Sequence, residues 1–436
     1  MNSKVLLKII DTFKREDVLG RYLFFLETLK WDRGQVQEYQ VLRLNQLINH
    51  AQENVPYYKE KLNDIKDLSD LKKIQTLQRD SIFSNESTLI DKRRNKKDLI
   101  AGSSSGTTGI PIKYYNDKFS ASSGDAASYV LGKMDGREFG ERTVHIWGNQ
   151  SSMKQWKTFN SRLKSKLINQ KKVASTSMND PNELEAIAKE IITFKPATID
   201  GYTSSIYSLA KYFEERKYRL DNLKHVVTTA ENLEEYQQEV IERVFCPASD
   251  LYGSGEVLSI ALRPANDRKY YIFDPHVIVE TEDSKIEGLK EIVVTDLDNY
   301  AMPLIRYKVG DLIDGVHSPE ENSRYPFSWF KKVSGRTSDI IDLPNGKKIH
   351  PVNIFGGTLF RKFKQIRRHK VVWDGKRFEF IFEAQHTLNT EAVKSEINDL
   401  LTPFGVDFIV TVTERILPSA NGKYRYIEIT EAKNNS

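Results

Sequence analysis

Ser103-Ser104-Ser105-Gly106-Thr107-Thr108-Gly109-Ile110-Pro111 is the most distinctive stretch of the chain. Its two internal glycines open backbone conformations closed to other residues. Five hydroxyls and several free amides can then converge on an anion such as a phosphate. It is not a Walker A loop, because Thr107 follows Gly102 and four residues where that motif has Gly-Lys. A flexible Ser/Gly linker shares the composition. Linkers do not usually end in Thr-Thr-Gly-x-Pro before a strand, and Ile112-Lys113-Tyr114-Tyr115 reads as one. Gly102 to Gly106 also matches the Gly-x-Ser-x-Gly elbow of serine hydrolases. That motif needs a buried strand before it and a helix after it. Here the charged run DKRRNKKD at 91–98 precedes it, and turn residues follow.

Working outward, residues 1–80 read as mostly helical, with a periodic segment at 39–52 and a break at Pro56-Tyr57-Tyr58. Residues 181–194 carry helical spacing, with Asp180 as the cap and Pro181 at the first helical position. Helical patterns at 202–217 and 233–245 flank a strand at His225-Val226-Val227-Thr228-Thr229. This alternation predicts an α/β core. Several β-branched runs between 268 and 316 predict a β-rich subdomain extending to about 335. After Gly335, short strands, two helical stretches and turns at Asn345-Gly346, Asp374-Gly375 and Asn421-Gly422 predict a small α+β domain. The boundary falls at 335–340.

The chain has 436 residues, with 65 Lys plus Arg against 60 Asp plus Glu and a net charge of +5. Acidic residues are interspersed with the basic ones, which argues against a nucleic-acid-binding face. The single Cys246 excludes an intramolecular disulfide and a cysteine zinc site, and fits a reducing cytoplasm. No apolar run is long enough to span a membrane. Near the start, Val5, Leu6, Ile9, Ile10 and Phe13 fall on one helical face. Such a helix packs on its own domain or lies at a membrane surface, which leaves peripheral attachment at the inner membrane face open.

Four further segments could carry chemistry. Leu251-Tyr252-Gly253-Ser254-Gly255-Glu256 puts an aromatic and a carboxylate on a glycine turn, suited to a base and to Mg²⁺. Asp311, after Gly310 in Arg306-Tyr307-Lys308-Val309-Gly310-Asp311, could accept from ribose hydroxyls. Gly335-Arg336-Thr337-Ser338-Asp339 comes next, and Lys423 follows the Asn421-Gly422 turn. Alone, each is an ordinary surface feature. In order, with Thr229-Ala230-Glu231-Asn232-Leu233, Gly201-Tyr202-Thr203-Ser204-Ser205 and Asn54-Val55-Pro56-Tyr57-Tyr58, the series resembles the adenylate-forming superfamily of acyl-CoA synthetases. Within it the chain looks most like the phenylacetate–CoA ligase branch, which includes capsule and surface-polysaccharide proteins.

The resemblance implies a large multi-subdomain N-terminal adenylation body, residues 1–335, and a small mobile α+β C-terminal domain, residues 336–436. It implies that ATP and Mg²⁺ activate a carboxylic acid as an acyl-adenylate, which then passes to coenzyme A, a carrier protein or an amino sugar. By motif match, Ser104, Ser105, Gly106, Thr107, Thr108 and Gly109 would wrap the β- and γ-phosphates. Ala230, Glu231 and Asn232 would line the adenine site. Tyr252, with Gly253 and Ser254, would stack on the ring. Glu256 would hold Mg²⁺, Asp311 the ribose with Arg336 nearby, and Lys423 the charge that builds during adenylation. Trp147 and Tyr202 would line the acyl pocket, Trp147 serving equally well as a core residue, and the hinge would lie at Ser338 and Asp339. Relatives are often homodimers. Two departures stand out. Gly255 replaces the Thr or Ser common before the glutamate, with Ser254 as a candidate substitute, and Ser338 replaces a common Asp or Lys. These leave open a catalytically weak nucleotide-binding scaffold.

Overall fold

The computed structural model describes residues 3–14, 16–62, 65–104, 112–148, 163, 165–355, 358–384, 388–419 and 422–430. Three helices, Ser3–Lys14, Val18–Thr28 and Arg33–Asn54, open the chain. Asp17 accepts from the Gly20 amide to start the second, and Asp32 with Gln35 forms a reciprocal capping box on the third. In the first helix Leu6 and Leu7 are buried, and the Ser3 hydroxyl donates to the Phe139 carbonyl. Of the predicted apolar face, Leu6 packs on the body while Val5 is exposed.

Among the described residues the central sheet has eight strands. Gln170–Val173, Thr143–Ile146, Thr198–Tyr202, His225–Thr229 and Ala248–Tyr252 lie side by side and parallel. Ala261–Arg263, Tyr270–Ile272 and Trp329–Phe330 extend it antiparallel. The helices Pro181–Phe194, Thr203–Arg216 and Glu235–Val244 connect the parallel strands. Asp180 caps the first of these as its sequence predicts, accepting from the Asn182 and Glu183 amides. Strand residues Ile146, Ile199 and Val226 and helix residues Ile206, Leu209 and Phe213 are all fully buried. Each such side chain contributes roughly 1.5–3 kcal/mol.

The stretch read as one β-rich unit contributes to two sheets. Tyr270–Ile272 and Trp329–Phe330 join the central sheet. Val277–Asp283, Lys290–Asp296, Tyr307–Ile313 and Val333–Arg336 form a separate four-stranded antiparallel sheet. After Arg336 a short turn, Thr337–Asp339, leads to the hairpin Ile341–Asp342/Lys348–Ile349. A last sheet orders Asp407–Thr413, Arg377–Ala384, Ile366–Trp373 and Ile427–Ile429, with the helix Thr390–Leu401 over it. Phe378, Phe380 and Phe382 alternate into this core against Val393 and Ile397. The chain is therefore a mixed α/β structure with a large N-terminal body and a C-terminal domain. Polar pairs join the two: Arg368 to the Ser208 hydroxyl at 3.0 Å, Gln237 to the Tyr426 hydroxyl at 3.2 Å, and Arg361 to Glu239 at 3.1 Å. Among the described residues no helix is long and apolar enough to cross a membrane.

Candidate active site

The parallel strands all end on one edge of the central sheet, where ligands of open α/β sheets collect. Trp147 follows Ile146, Tyr202 ends its own strand, Glu231 lies just past Thr229, and Gly253 to Glu256 continue from Tyr252. Ala230 takes a left-handed backbone, with φ positive. A residue with a Cβ rarely adopts that conformation. The turn swings Glu231 back toward the neighbouring strand end, where its carboxylate accepts from the Ser204 amide at 2.8 Å.

Glu256 is buried, and one of its oxygens accepts from Arg79 at 3.1 Å and from the Tyr307 hydroxyl at 3.3 Å. Arg79 also donates to the Ser104 hydroxyl, so one guanidinium ties the start of the serine-glycine stretch to the glutamate. Arg79 reaches this place because Leu77 exchanges backbone bonds with Arg306 and Lys308 on either side of Tyr307. Sequence alone singles out neither Arg79 nor Tyr307. Arg79 lies in an unremarkable helix start, and the only signal for Tyr307 is its place inside the Arg306–Asp311 motif. Ser104 lies at the end of a two-stranded hairpin, Ile100–Ser104 with Ile112–Asn116, and Arg79 is its side-chain partner. The nucleophile-elbow setting of a buried strand is absent there. Ser105, Gly106, Thr107, Thr108 and Gly109 lie outside the described residues.

Across the cleft, Asp311 and Arg336 are cross-strand partners in the four-stranded sheet, and Arg336 Nε lies 3.3 Å from the Asp311 carboxylate. The other carboxylate oxygen accepts from the Tyr252 hydroxyl at 2.8 Å. This bond stitches the central sheet to the four-stranded sheet. Burial, and then the Asp311 charge, push the Tyr252 hydroxyl well up, so it remains a donor. Gly335, at φ +100°, lets the His350 ring close over it, and the His350 Nε2 pairs with the Arg336 carbonyl at 3.0 Å. Ser338 and Asp339 form the next turn, where Thr337 donates to the Gly310 carbonyl at 3.3 Å and Ser338 to Asp339 at 3.2 Å.

Lys423 comes from the far end of the sequence into the same cleft. A tight turn, with Gly422 donating to the Ser419 carbonyl and Ser419 to the Lys423 carbonyl, presents it. Gly422, at φ +88°, is where the loop touches the body: the Ser175 hydroxyl donates to its carbonyl at 3.1 Å. The next amide, Tyr424, donates to the second oxygen of Glu231 at 2.9 Å. The Lys423 Nζ stands 5.5 Å from the centre of the Tyr202 ring. Burial holds the ammonium below the usual lysine range. Glu231, Asp311 and Glu256 oppose that shift and Arg336 adds to it, so all four charges act on one amine. Burial raises the Glu231 carboxyl, and its bonds to Ser204 and Tyr424 and the Lys423 charge oppose that rise.

Beside the lysine, Tyr202 packs on Trp147 at 4.4 Å, and Trp147 stacks on His145 at 5.5 Å. His145 pairs with Asp200, one strand over in register. The row is half aromatic, half polar. Cys246 is half-buried, and desolvation pushes its thiol up to about 11, so it is no nucleophile.

Among the described residues no cluster of three or more His, Cys, Asp or Glu could hold a metal alone. One buried carboxylate is the donor set that Mg²⁺ uses when substrate phosphates and water complete its shell. Glu256 fits that mode, since one of its oxygens takes both Arg79 and Tyr307.

No family model matches the chain. Protein CapK of Staphylococcus aureus is 25% identical over 315 residues, 70% of this chain and 68% of CapK. A 2-hydroxyisobutyryl-CoA ligase in the postadenylation state, in complex with R3-HIB-AMP, superposes with a TM-score of 0.70 at 15% identity over 92% of this chain and 90% of its own. The same ligase in the thioesterification state, with 2-HIB-AMP and CoA, gives 0.57 at 16% identity over 91% and 90%. Amide bond synthetase McbA from Marinactinospora thermotolerans gives 0.53 at 15% identity over 76% of this chain and 69% of its own. The described residues thus build the fold of the adenylate-forming ligases, a large α/β body with a C-terminal domain.

Proposed function

We propose that the protein uses ATP to activate a carboxylic acid as an acyl-adenylate, releasing pyrophosphate, and then passes the acyl group to a thiol or an amine. The observation that carries this is Lys423. A lysine from the C-terminal domain lies among Glu231, Asp311 and Glu256, on three different parts of the body, with Arg336 beside Asp311. A nucleotide-binding scaffold has no need to bring that charge in from so far along the chain.

The carboxylate oxygen attacks the α-phosphorus, and the bond to the bridging oxygen of the β-phosphate breaks. Catalysis of this step is mostly positioning and charge stabilisation. Asp311 accepts from the ribose, with Arg336 and Tyr252 fixing its carboxylate. Lys423, a point charge on a flexible stem, stabilises the developing negative charge. Arg79 joins the phosphate loop to Glu256. Mg²⁺ bound through Glu256 would neutralise phosphate charge. Trp147 and Tyr202 line the acyl side, with the His145–Asp200 pair at its far end. Ser338 and Asp339 form the hinge on which the C-terminal domain turns for the second step. The better superposition on the postadenylation state than on the thioesterification state supports the reading that this structure has the lysine loop docked for the first step. The acceptor is coenzyme A, a carrier thiol or an amino sugar, and the likeness to CapK favours surface-polysaccharide synthesis. The phenylacetate–CoA ligase branch is the subtype proposed.

ATP–pyrophosphate exchange over a panel of carboxylic acids tests this. At least one acid supports exchange, and Lys423→Ala lowers it by ~10² or more while ATP still binds. ATP binding with no exchange for any acid would turn the reading toward the scaffold.

A further inference from the structure

Tyr114 is the unexplained residue of the cleft. It stands opposite Gly102 in the hairpin that opens the serine-glycine stretch. Its ring fills the space over that glycine: a Cβ on Gly102 would lie 2.1 Å from the ring carbon bearing the hydroxyl. The ring thereby delivers its hydroxyl to a second glycine. A Cβ on Gly255 would stand 3.2 Å from the Tyr114 hydroxyl oxygen. Two glycines on separate segments make room for one tyrosine, and the hydroxyl ends beside the residue that precedes Glu256. Burial and the Glu256 charge both raise the Tyr114 hydroxyl, so it stays protonated and able to donate. Among the described residues nothing accepts that proton. Ser254, the alternative source of a hydroxyl, is tied into its own turn: its oxygen accepts from the Val257 amide at 3.0 Å, and its amide donates to the Val257 carbonyl at 2.9 Å.

We propose that the Tyr114 hydroxyl donates to a phosphate oxygen of the nucleotide beside Glu256, in place of the side-chain hydroxyl missing at Gly255. This rests on the adenylation reading. A half-buried donor next to a carboxylate gains most when the acceptor it meets is anionic and the carboxylate is neutralised from its other side. Tyr114 is thus a binding residue supplied by the loop hairpin to the glutamate turn. The Gly255 departure then changes where the hydroxyl comes from and keeps its chemistry.

The test uses the full chain with Mg²⁺ and titration calorimetry of ATP and of adenosine. Tyr114→Phe keeps the ring on Gly102 and removes only the donor. ATP binding weakens about tenfold or more, the loss expected for a hydrogen bond to a charged group, and adenosine binding is unchanged. The double variant Tyr114→Phe/Gly255→Ser has room for the new side chain and regains ATP affinity. Gly255→Ser alone, crowded by the tyrosine hydroxyl, gains nothing. If the wild type binds ATP and Tyr114→Phe binds it equally, or loses ATP and adenosine alike, the proposal is overturned and the adenylation reading stands. If the double variant regains nothing, the replacement of the missing hydroxyl is overturned. If the wild type binds no ATP, the adenylation reading falls and the proposal with it.

Discussion

Gly422→Ala tests how the lysine loop is held. A Cβ at that position would lie 2.1 Å from the Ser175 hydroxyl oxygen and 2.8 Å from the Gly148 carbonyl oxygen. The hydroxyl can swing aside, but the carbonyl is backbone and accepts from the Ser175 amide at 3.0 Å. The glycine also has a left-handed backbone, φ +88°. That conformation costs a residue with a Cβ roughly 1 kcal/mol or somewhat more. Backing the loop away to ordinary contact stretches the Ser175 bond to the Gly422 carbonyl and the Tyr424 amide bond to Glu231. The first is worth about 1 kcal/mol and the second, to a carboxylate, about 1.5–3 kcal/mol. Partial relaxation recovers some of this, so docking weakens by about 3 kcal/mol, roughly a hundredfold in the docked population. Hydrogen exchange reads this without any acyl substrate. The Tyr424 and Ser204 amides both point at Glu231, and only the Tyr424 amide loses protection when the loop leaves. Global unfolding by urea stays near the wild-type value, because the loop lies outside the apolar core. Wild-type protection at Tyr424 in the variant would refute the reasoning, and so would an equal loss at Ser204.

Other outcomes follow from single positions. Ala230 sits in the left-handed region of backbone space. Forced to carry a branched side chain there, Ala230→Val is less stable than Ala230→Gly by about 2 kcal/mol in chemical denaturation. His369 is buried against Tyr426, and desolvation holds its ring down to about 3 from 6.5. It stays neutral in the fold while the unfolded chain takes up a proton below pH 6.5, so stability falls as pH drops from 6.5 toward 3. The slope is up to about 1.4 kcal/mol per pH unit, and His369→Phe removes it from urea melts between about pH 6.5 and 4.5.

Part of the site could be read from sequence because it lies on glycine-bearing turns: Tyr252–Glu256 and Gly422-Lys423 each combine a turn signal with a chemical group. Gly310-Asp311 reads as the same kind of strand end, but it lies inside the strand Tyr307–Ile313, at an irregular register with its neighbour. The helix at 181–194 was equally legible, since Asp180 and Pro181 state its start. Arg79, Tyr114 and Ser175 were not, because each acts across the chain on a partner about 25 to 250 residues away or on an opposing strand, with no local pattern to mark it. Sheet membership was hidden for a similar reason. Tyr270–Ile272 is mostly aromatic and Val277–Asp283 is rich in β-branched residues, both ordinary strand compositions, and only tertiary pairing assigns them to different sheets.

That switch of sheets has a mechanical consequence. The chain leaves the central sheet at Ile272 and enters the four-stranded sheet at Val277 through a buried link, in which Asp274 accepts from the Ser328 amide and His276 pairs with Asp298, so it does not act as a joint. The Tyr252–Asp311 bond clamps the same two sheets on the cleft side. The two walls therefore behave as one fixed jaw, shaped before any ligand arrives. A nucleotide entering it gives up its own freedom without having to assemble those walls, and the entropy of ordering falls on the lysine loop, the jaw that closes.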